Sequence, residues 1–324
     1  MISKILNIIL YPIRHQKKSI MIISISSTIF TLLFFPYNDL SDYITQMIAK
    51  KSQNQVFVQF DELGIGFFPP SLKMSNVALD TPFFSTLKAG ALYLAPSIAG
   101  LLAFNPGFTA NIDDVMKGKI NVSYRGGSKV DNKIPMQKID LNLSRIDLKE
   151  LSKFVDLPVR LEGQIFTDLN ALVDLTFIEQ PNGELNIQIK KFHLPSSTIP
   201  TMLGPASLPS TELSVIVLKC HLKNSDLVID EGQIGAPGEP LNGRFKGRVG
   251  LRLNNMDNRL VPEWGDYQFK IDMQLDHTAE KNFGLYLSFY DRYKTLTGSG
   301  SRFALTLSGS NFQSPPTAAP LGTY

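Results

Sequence analysis

A chain of 324 residues, 43% hydrophobic and 19% charged, is long enough for one large core or two small ones and too polar for a multi-span membrane protein. Its net charge of +3 is nearly neutral and shows no gathering of Lys and Arg of the kind a nucleic-acid binder needs, so no nucleic-acid partner is expected. The single cysteine, Cys220, excludes an internal disulfide, a tetrathiolate metal site and a redox pair.

Residues 1–18 form a basic segment in which Ile2, Ile5, Leu6, Ile9 and Ile13 recur at helical spacing beside Lys4, Arg14, Lys17 and Lys18. Such a segment suits the cytoplasmic headgroup layer, or equally the basic region of a long signal sequence. Residues 19–37 read as a transmembrane helix. The uncharged run 20–35 is slightly shorter than the ~20 residues that span a bilayer, and Lys17 and Lys18 can snorkel from its start. No acidic residue precedes Asp39, so the positive-inside rule keeps the N-terminus in the cytoplasm and exports the rest to the bacterial periplasm. A cleavable signal needs small residues at the cut. None of the first 48 residues is alanine and the run closes in Phe-Phe-Pro-Tyr, so an uncleaved inner-membrane anchor is expected. Residues 38–54 read as a linker helix with Leu40, Tyr43, Ile44, Met47 and Ile48 on one stripe and Asn38 or Asp39 at its cap.

From residue 55 the period changes from helical to two, and residues 55–309 read as one β-rich domain. Val56/Val58, Leu72/Met74, Leu92/Leu94, Ile120/Val122/Tyr124, Ile139/Leu141/Leu143 and Leu185/Ile187/Ile189 each alternate with polar neighbours. Short helices are expected at 97–104 and 148–154. A weak echo of strand, short helix and Gly-containing strand links 92–127 with 139–166. Pro195, Pro200, Pro205 and Pro209 exclude a central strand over 194–210. Further strands carry Tyr267/Phe269/Ile271/Met273/Leu275, Phe283/Leu285/Leu287/Phe289 and Phe303/Leu305/Leu307. The expected fold class is mainly β: a large curled antiparallel sheet in up-and-down order, with a few short helices. The last stretch, 310–324, with Pro315, Pro316 and Pro320, is expected to be a disordered tail.

No catalytic, cofactor or metal site emerges. The Gly298-Ser299-Gly300 stretch lacks the strand–elbow–helix spacing of a nucleophile, and His15, His193, His221 and His277 are scattered. Asp113-Asp114 and Asp230-Glu231-Gly232 have the composition of turns. Two features stand out. Arg244, Lys246, Arg248 and Arg252 share a strand face that could meet an anionic partner or a lipid headgroup, or pair with carboxylates such as Asp272. On the opposite side Phe245, Val249, Leu251, Tyr267, Phe269, Ile271, Leu285 and Leu287 form an apolar face that is either closed core or an open trough for acyl chains.

Taken together, these features resemble the type II secretion system protein N family, and more distantly the AsmA-like envelope proteins. The residues that carry the resemblance follow the membrane helix and linker. Phe67-Phe68-Pro69-Pro70 through Leu79 is similar to the family's first hairpin, Leu94-Ala95-Pro96 through Leu102 to its strand, proline and short helix, and Lys119 through Gly127 to its Gly-terminated strand. Ile146 through Leu151, with Leu161 through Ile165, resembles the AsmA-like repeat. Cys220 through Lys223 and Gly243 through Gly247 extend the likeness. The resemblance implies a non-enzymatic, periplasm-facing accessory component whose partners are the inner membrane and other secretion-system components. The alternative it implies is a lipid-handling protein with phospholipid as partner.

Overall fold

The computed structural model describes residues 17–67, 70–82, 84–102, 104–127, 135–154, 159–174, 178–201, 204–256 and 259–321. The expected amphipathic segment lies, up to residue 16, outside them. The first helix among the described residues, α1 (Lys17–Phe34), spans 18 residues, or about 27 Å at 1.5 Å per residue. No helix among the described residues is long and apolar enough to cross a membrane, so the expected 19–37 span is not matched in length. Pro36 disfavours helical geometry at Phe35 and stops the helix there. Six Ser and Thr side chains dilute its apolar surface; of these, Thr28 and Thr31 donate to the carbonyls of Ser24 and Ser27 at 2.9 Å.

A 3-10 turn (Tyr37–Leu40) leads into α2 (Ser41–Lys51). Tyr37, Leu40, Ile44 and Ile48 pack on the sheet, while Tyr43 and Met47, expected on the same stripe, face solvent. Asn38 does not cap the helix. Its Oδ1 accepts a hydrogen bond from the Leu63 N–H at 2.8 Å, joining helix to sheet.

Eighteen strands follow among the described residues. The first nine are β1 (Phe57–Gln59), β2 (Glu62–Phe67), β3 (Pro70–Thr81), β4 (Phe84–Pro96), β5 (Gly107–Val115), β6 (Gly118–Arg125), β7 (Gln137–Asp147), β8 (Glu162–Val173) and β9 (Asn182–Leu194). After the hairpin β10 (Ser197–Thr201) and β11 (Gly204–Leu208) come β12 (Thr211–Lys223), β13 (Asp226–Ile234), β14 (Leu241–Met256), β15 (Arg259–Asp276), β16 (Lys294–Thr297), β17 (Gly300–Gly309) and β18 (Thr317–Pro320). Three short helices interrupt them: α3 (Ile98–Leu102), α4 (Leu148–Leu151) and α5 (His277–Leu287).

Sixteen of the strands make one antiparallel sheet in the order β1-β3-β4-β5-β6-β7-β8-β9-β12-β13-β14-β15-β17-β16. β2 lies beside β1 on the outer edge of β3, and β18 beside β16 on the outer edge of β17. The up-and-down order agrees with the sequence reading, but the sheet is neither curled up nor closed on itself. The proline-rich β10–β11 hairpin stands off it as a separate pair.

Tight turns hold the meander together. Met116-Lys117 and Asn224-Ser225 make two-residue hairpin loops with both residues at positive φ, between 48° and 68°, the geometry that matches strand twist. For Met and Lys this backbone is strained. It is clamped by the Asp147 N–H donating to the Met116 carbonyl and by Lys117 paired to the Asp147 carboxylate at 2.8 Å. Asp113-Asp114 is therefore not the turn but a bulge just before it, and Asp230-Glu231-Gly232 is likewise a bulge inside β13.

Two further expectations fail. Residues 283–289, read as a strand, are helix α5 and the 3-10 turn Ser288–Tyr293. A short apolar run fits both periods, and Asp276, whose carboxylate accepts from the Ala279 N–H at 2.7 Å, caps the helical choice. The tail, expected to be disordered, returns as β18, fixed by the Tyr293 hydroxyl donating to the Ala318 carbonyl at 2.6 Å.

Two hydrophobic clusters lie at the two ends of the sheet, and further buried residues such as Val115, Ile146 and Leu148 lie between them, around α4. At the first, α2 covers Val58, Leu63, Met74 and Val77. At the other, α5 and its 3-10 extension cover Leu275, Phe303 and Leu305 with Phe283, Leu287 and Tyr290.

Candidate functional site

Register converts strand alternation into a surface. Starting at Ile65, successive cross-strand partners are Leu72, Leu94, Ala110, Val122, Leu141, Leu169, Leu185, Cys220, Ile229, Gly247, Phe269, Leu307 and Ala318. Every member is apolar, and at about 4.8 Å per strand the row is roughly 60 Å long. A parallel row runs from Leu63 to Pro320 with Thr167 as its one polar member. A third runs from Pro96 through Phe108, Tyr124 and Ile139 to Val249, Tyr267 and Gly309. Between the two capped ends most side chains of these rows are only half-buried.

Aromatic rings lie across glycines on this face. A Cβ on Gly232 would stand 2.4 Å from the Phe245 ring, on Gly247 2.6 Å from Phe269, and on Gly309 2.7 Å from Tyr267. The glycines let the rings lie flat, giving a smooth apolar floor. Phe312, in the tail, stacks on Tyr267 at 4.7 Å and meets Trp264 edge-on at 5.9 Å, covering that end. At the opposite end a groove of about 770 Å³ opens among Ile65, Leu72, Leu94, Pro96 and Phe108.

The predicted apolar residues Phe245, Val249, Leu251, Tyr267, Phe269 and Ile271 all share this face, with Val249 and Tyr267 buried. Leu285 and Leu287 do not belong to the floor; both lie in α5, and Leu287 packs against its end. The N-terminal half of the face and the cover supplied by Phe312 were not foreseen. Alternation shows which residues of one strand share a side, but not which residues line up across strands.

The basic row Arg244, Lys246, Arg248 and Arg252 is exposed on the opposite face of β14. Arg248 pairs with Asp266 at 2.6 Å and Asp226 at 3.7 Å. Asp272, opposite Arg244 in register, is held in a two-pronged pair by Arg302, both bonds 2.7 Å. A hydrogen bond from Lys219, with Arg244 and Lys246 nearby, holds the Glu231 carboxyl below its ordinary range. The row is one part of a mixed charge ladder rather than a single-sign patch.

Cys220 is buried in the apolar face, and burial pushes its thiol up, away from nucleophilic reactivity. One polar arrangement was missed: His193 Nδ1 lies 3.3 Å from Glu162 and its Nε2 3.3 Å from Ser210, beside a groove of about 740 Å³ under α5. All three are open to water, with the His193 side chain 34% and the Glu162 side chain 42% exposed. The trio ties β8, β9 and the loop before β12 together. No group of three or more His, Cys, Asp or Glu suited to a metal ion occurs among the described residues. No family model, curated protein or solved structure matches the chain.

Proposed function

We propose that this chain is a non-enzymatic envelope protein, tethered at the inner membrane by α1, that carries acyl chains of phospholipid on the open apolar face of its sheet. The observation that supports it most is the uninterrupted apolar row from Ile65 to Ala318, half-buried apart from Ala110 and Cys220, with no second layer among the described residues between its capped ends. Exposed contiguous apolar surface of this size marks an interaction site rather than an ordinary surface. Its partner must be apolar, long and adaptable, as acyl chains are.

The tether is argued from α1. Met21, Ile22, Ile23, Ile25, Ile29, Phe30 and Phe34 are exposed around the helix, which buries none of them in the fold. A helix that exposes this much apolar surface needs an apolar partner, and a bilayer supplies one. Its Ser and Thr side chains are tolerated there because, as at Thr28 and Thr31, they can bond back to the helix's own carbonyls. A shortfall of about 3 Å from a 30 Å hydrocarbon layer is met by local thinning and by Lys17 and Lys18 snorkelling. On this reading the sheet is periplasmic.

Membership of the type II secretion apparatus is the weaker proposal. A scaffold that recruits partners by strand addition needs a long free edge. Here each edge is two short strands end to end, and the N–H of Leu63 in β2 is engaged by Asn38.

The test is lipid counting by mass spectrometry on the full chain purified from a bacterial envelope, against Phe269→Asp. α1 retains the same annular lipid in both, so the difference reports the sheet. Loss of phospholipid in the variant, with an unchanged unfolding temperature, supports the proposal. Equal lipid in both refutes it.

A further inference from the structure

We infer that the loop between β4 and β5 is a rigid wedge that inserts into the lipid surface and opens the 770 Å³ groove to the bilayer; this rests on the acyl-chain reading above. The loop carries α3 and presents Ile98, Leu102 and Phe104 at 55%, 78% and 94% exposure. No charged residue occurs between Lys88 and Asp113.

This exposure is built, not a by-product of looseness. The Ser97 N–H donates to the Gly107 carbonyl at 2.9 Å, closing the loop at its base, and the Asn105 N–H donates to the Gly100 carbonyl at 2.8 Å. Buried Ser97 accepts from the Gly100 N–H at 3.1 Å. A Cβ at Gly100 would stand 2.4 Å from the Asn105 carbonyl oxygen, so glycine permits the tight fold. The N–H groups of Ser97, Gly100 and Asn105 are thus satisfied within the loop, which lowers the cost of placing it against an apolar layer, while Ile98, Leu102 and Phe104 are exposed.

Its surroundings select a lipid surface over a protein. The groove begins at the base of the wedge, sharing Pro96, Gly107 and Phe108 with it. Phe108 stacks on Tyr124 at 5.4 Å, and Lys73 lies over the Tyr93 ring at 5.5 Å. Arg125 sits opposite Gly107 in register and Lys138 opposite Arg125, sharing the one carboxylate of Asp140 at 3.4 Å. Aromatic rings and long cations flanking an apolar tip are the composition of a membrane interface. The site is on the same chain as α1, which limits how far it can lie from a bilayer.

The full chain is reconstituted in vesicles of phosphatidylethanolamine and phosphatidylglycerol, with an environment-sensitive fluorophore on Phe104→Cys or on Leu296→Cys. Cys220 is buried and does not compete for label. The expected result is quenching of the Phe104 probe by nitroxide-bearing lipid, with the Leu296 site, 78% exposed on the other end of the strands, unquenched. Leu102→Asp/Phe104→Asp is expected to slow uptake of a fluorescent phospholipid by about tenfold while leaving the lipid count at saturation unchanged. A Phe104 probe as wet as the Leu296 probe, on a chain that still carries lipid, overturns the wedge alone. A quenched Phe104 probe on a chain whose sheet carries no lipid supports the wedge and overturns the acyl-chain reading.

Discussion

Replacing Leu169 with Asp separates an open face from a closed core. Leu169 sits mid-sheet, with Leu141 and Leu185 as its cross-strand partners, and all three are half-buried. Full burial of a leucine is worth roughly 1.5–3 kcal/mol, so a half-buried one with water access contributes about 1 kcal/mol. The new carboxylate can stay hydrated on an open face. In a closed core the same change would bury a charge and cost well above ~4 kcal/mol. Phe303, 1% exposed beneath α5, supplies the internal standard: Phe303→Ala should cost about 3–5 kcal/mol. With roughly 2–4 °C per kcal/mol for a domain of this size, Leu169→Asp should lower Tm by a few degrees and Phe303→Ala by about 10 °C. Differential scanning calorimetry of the two variants, with lipid counted in parallel, makes the comparison. A Leu169→Asp loss equal to that of Phe303→Ala would refute the open face, as would unchanged lipid content.

The remaining expectations concern the ends and the polar side. Phe312→Ala removes an aromatic pair worth about 0.5–1.5 kcal/mol and uncovers Tyr267, so the emission of Trp264, the one tryptophan, should shift to the red. The hydrogen bond from Lys294 holds Glu280 below its ordinary pKa. Its contribution is therefore present above the ordinary carboxylate range and lost as pH falls through the lowered value. The opening free energy of α5 from hydrogen exchange, corrected for the pH dependence of intrinsic amide exchange, should fall on that acid limb in the wild type and stay flat there in Glu280→Gln. Arg248→Ala breaks two exposed pairs and should cost under ~1 kcal/mol by urea titration; a larger loss would make the charge ladder structural.

Much of the fold was legible because an antiparallel sheet with one solvated side writes itself as period two, as β9 and β15 do. Where both periods fit, as at Phe283 to Phe289, the decision fell to a capping carboxylate two turns upstream, Asp276. The prolines of the tail signal a break but carry no information on whether the chain returns to pair, and β18 does. On β14 Arg244, Lys246, Arg248 and Arg252 are exposed and alternate with less exposed apolar residues, the period that its own sequence writes. The site itself was half visible: the floor near Phe269 was read, whereas its continuation to Ile65 depends on register through thirteen pairings, set by turns and by bulges such as those at Asp114 and Arg145. The projecting Phe104 was hidden for another reason. A short apolar helix in sequence reads the same whether it points into a core or away from it.

The doubled short strands at each margin have a consequence for assembly. A sheet grows by adding strands to an unbroken rim, and a long meander with an apolar side is the kind of object that would polymerise. Here β1 and β2 are separated by Phe60-Asp61, and β16 and β18 by the whole length of β17 and its following loop, so neither rim offers one continuous template. The molecule is in effect a terminated filament: its span is set within one chain by where those interruptions fall, and an insertion of two more hairpins mid-sheet would lengthen it without opening either terminus.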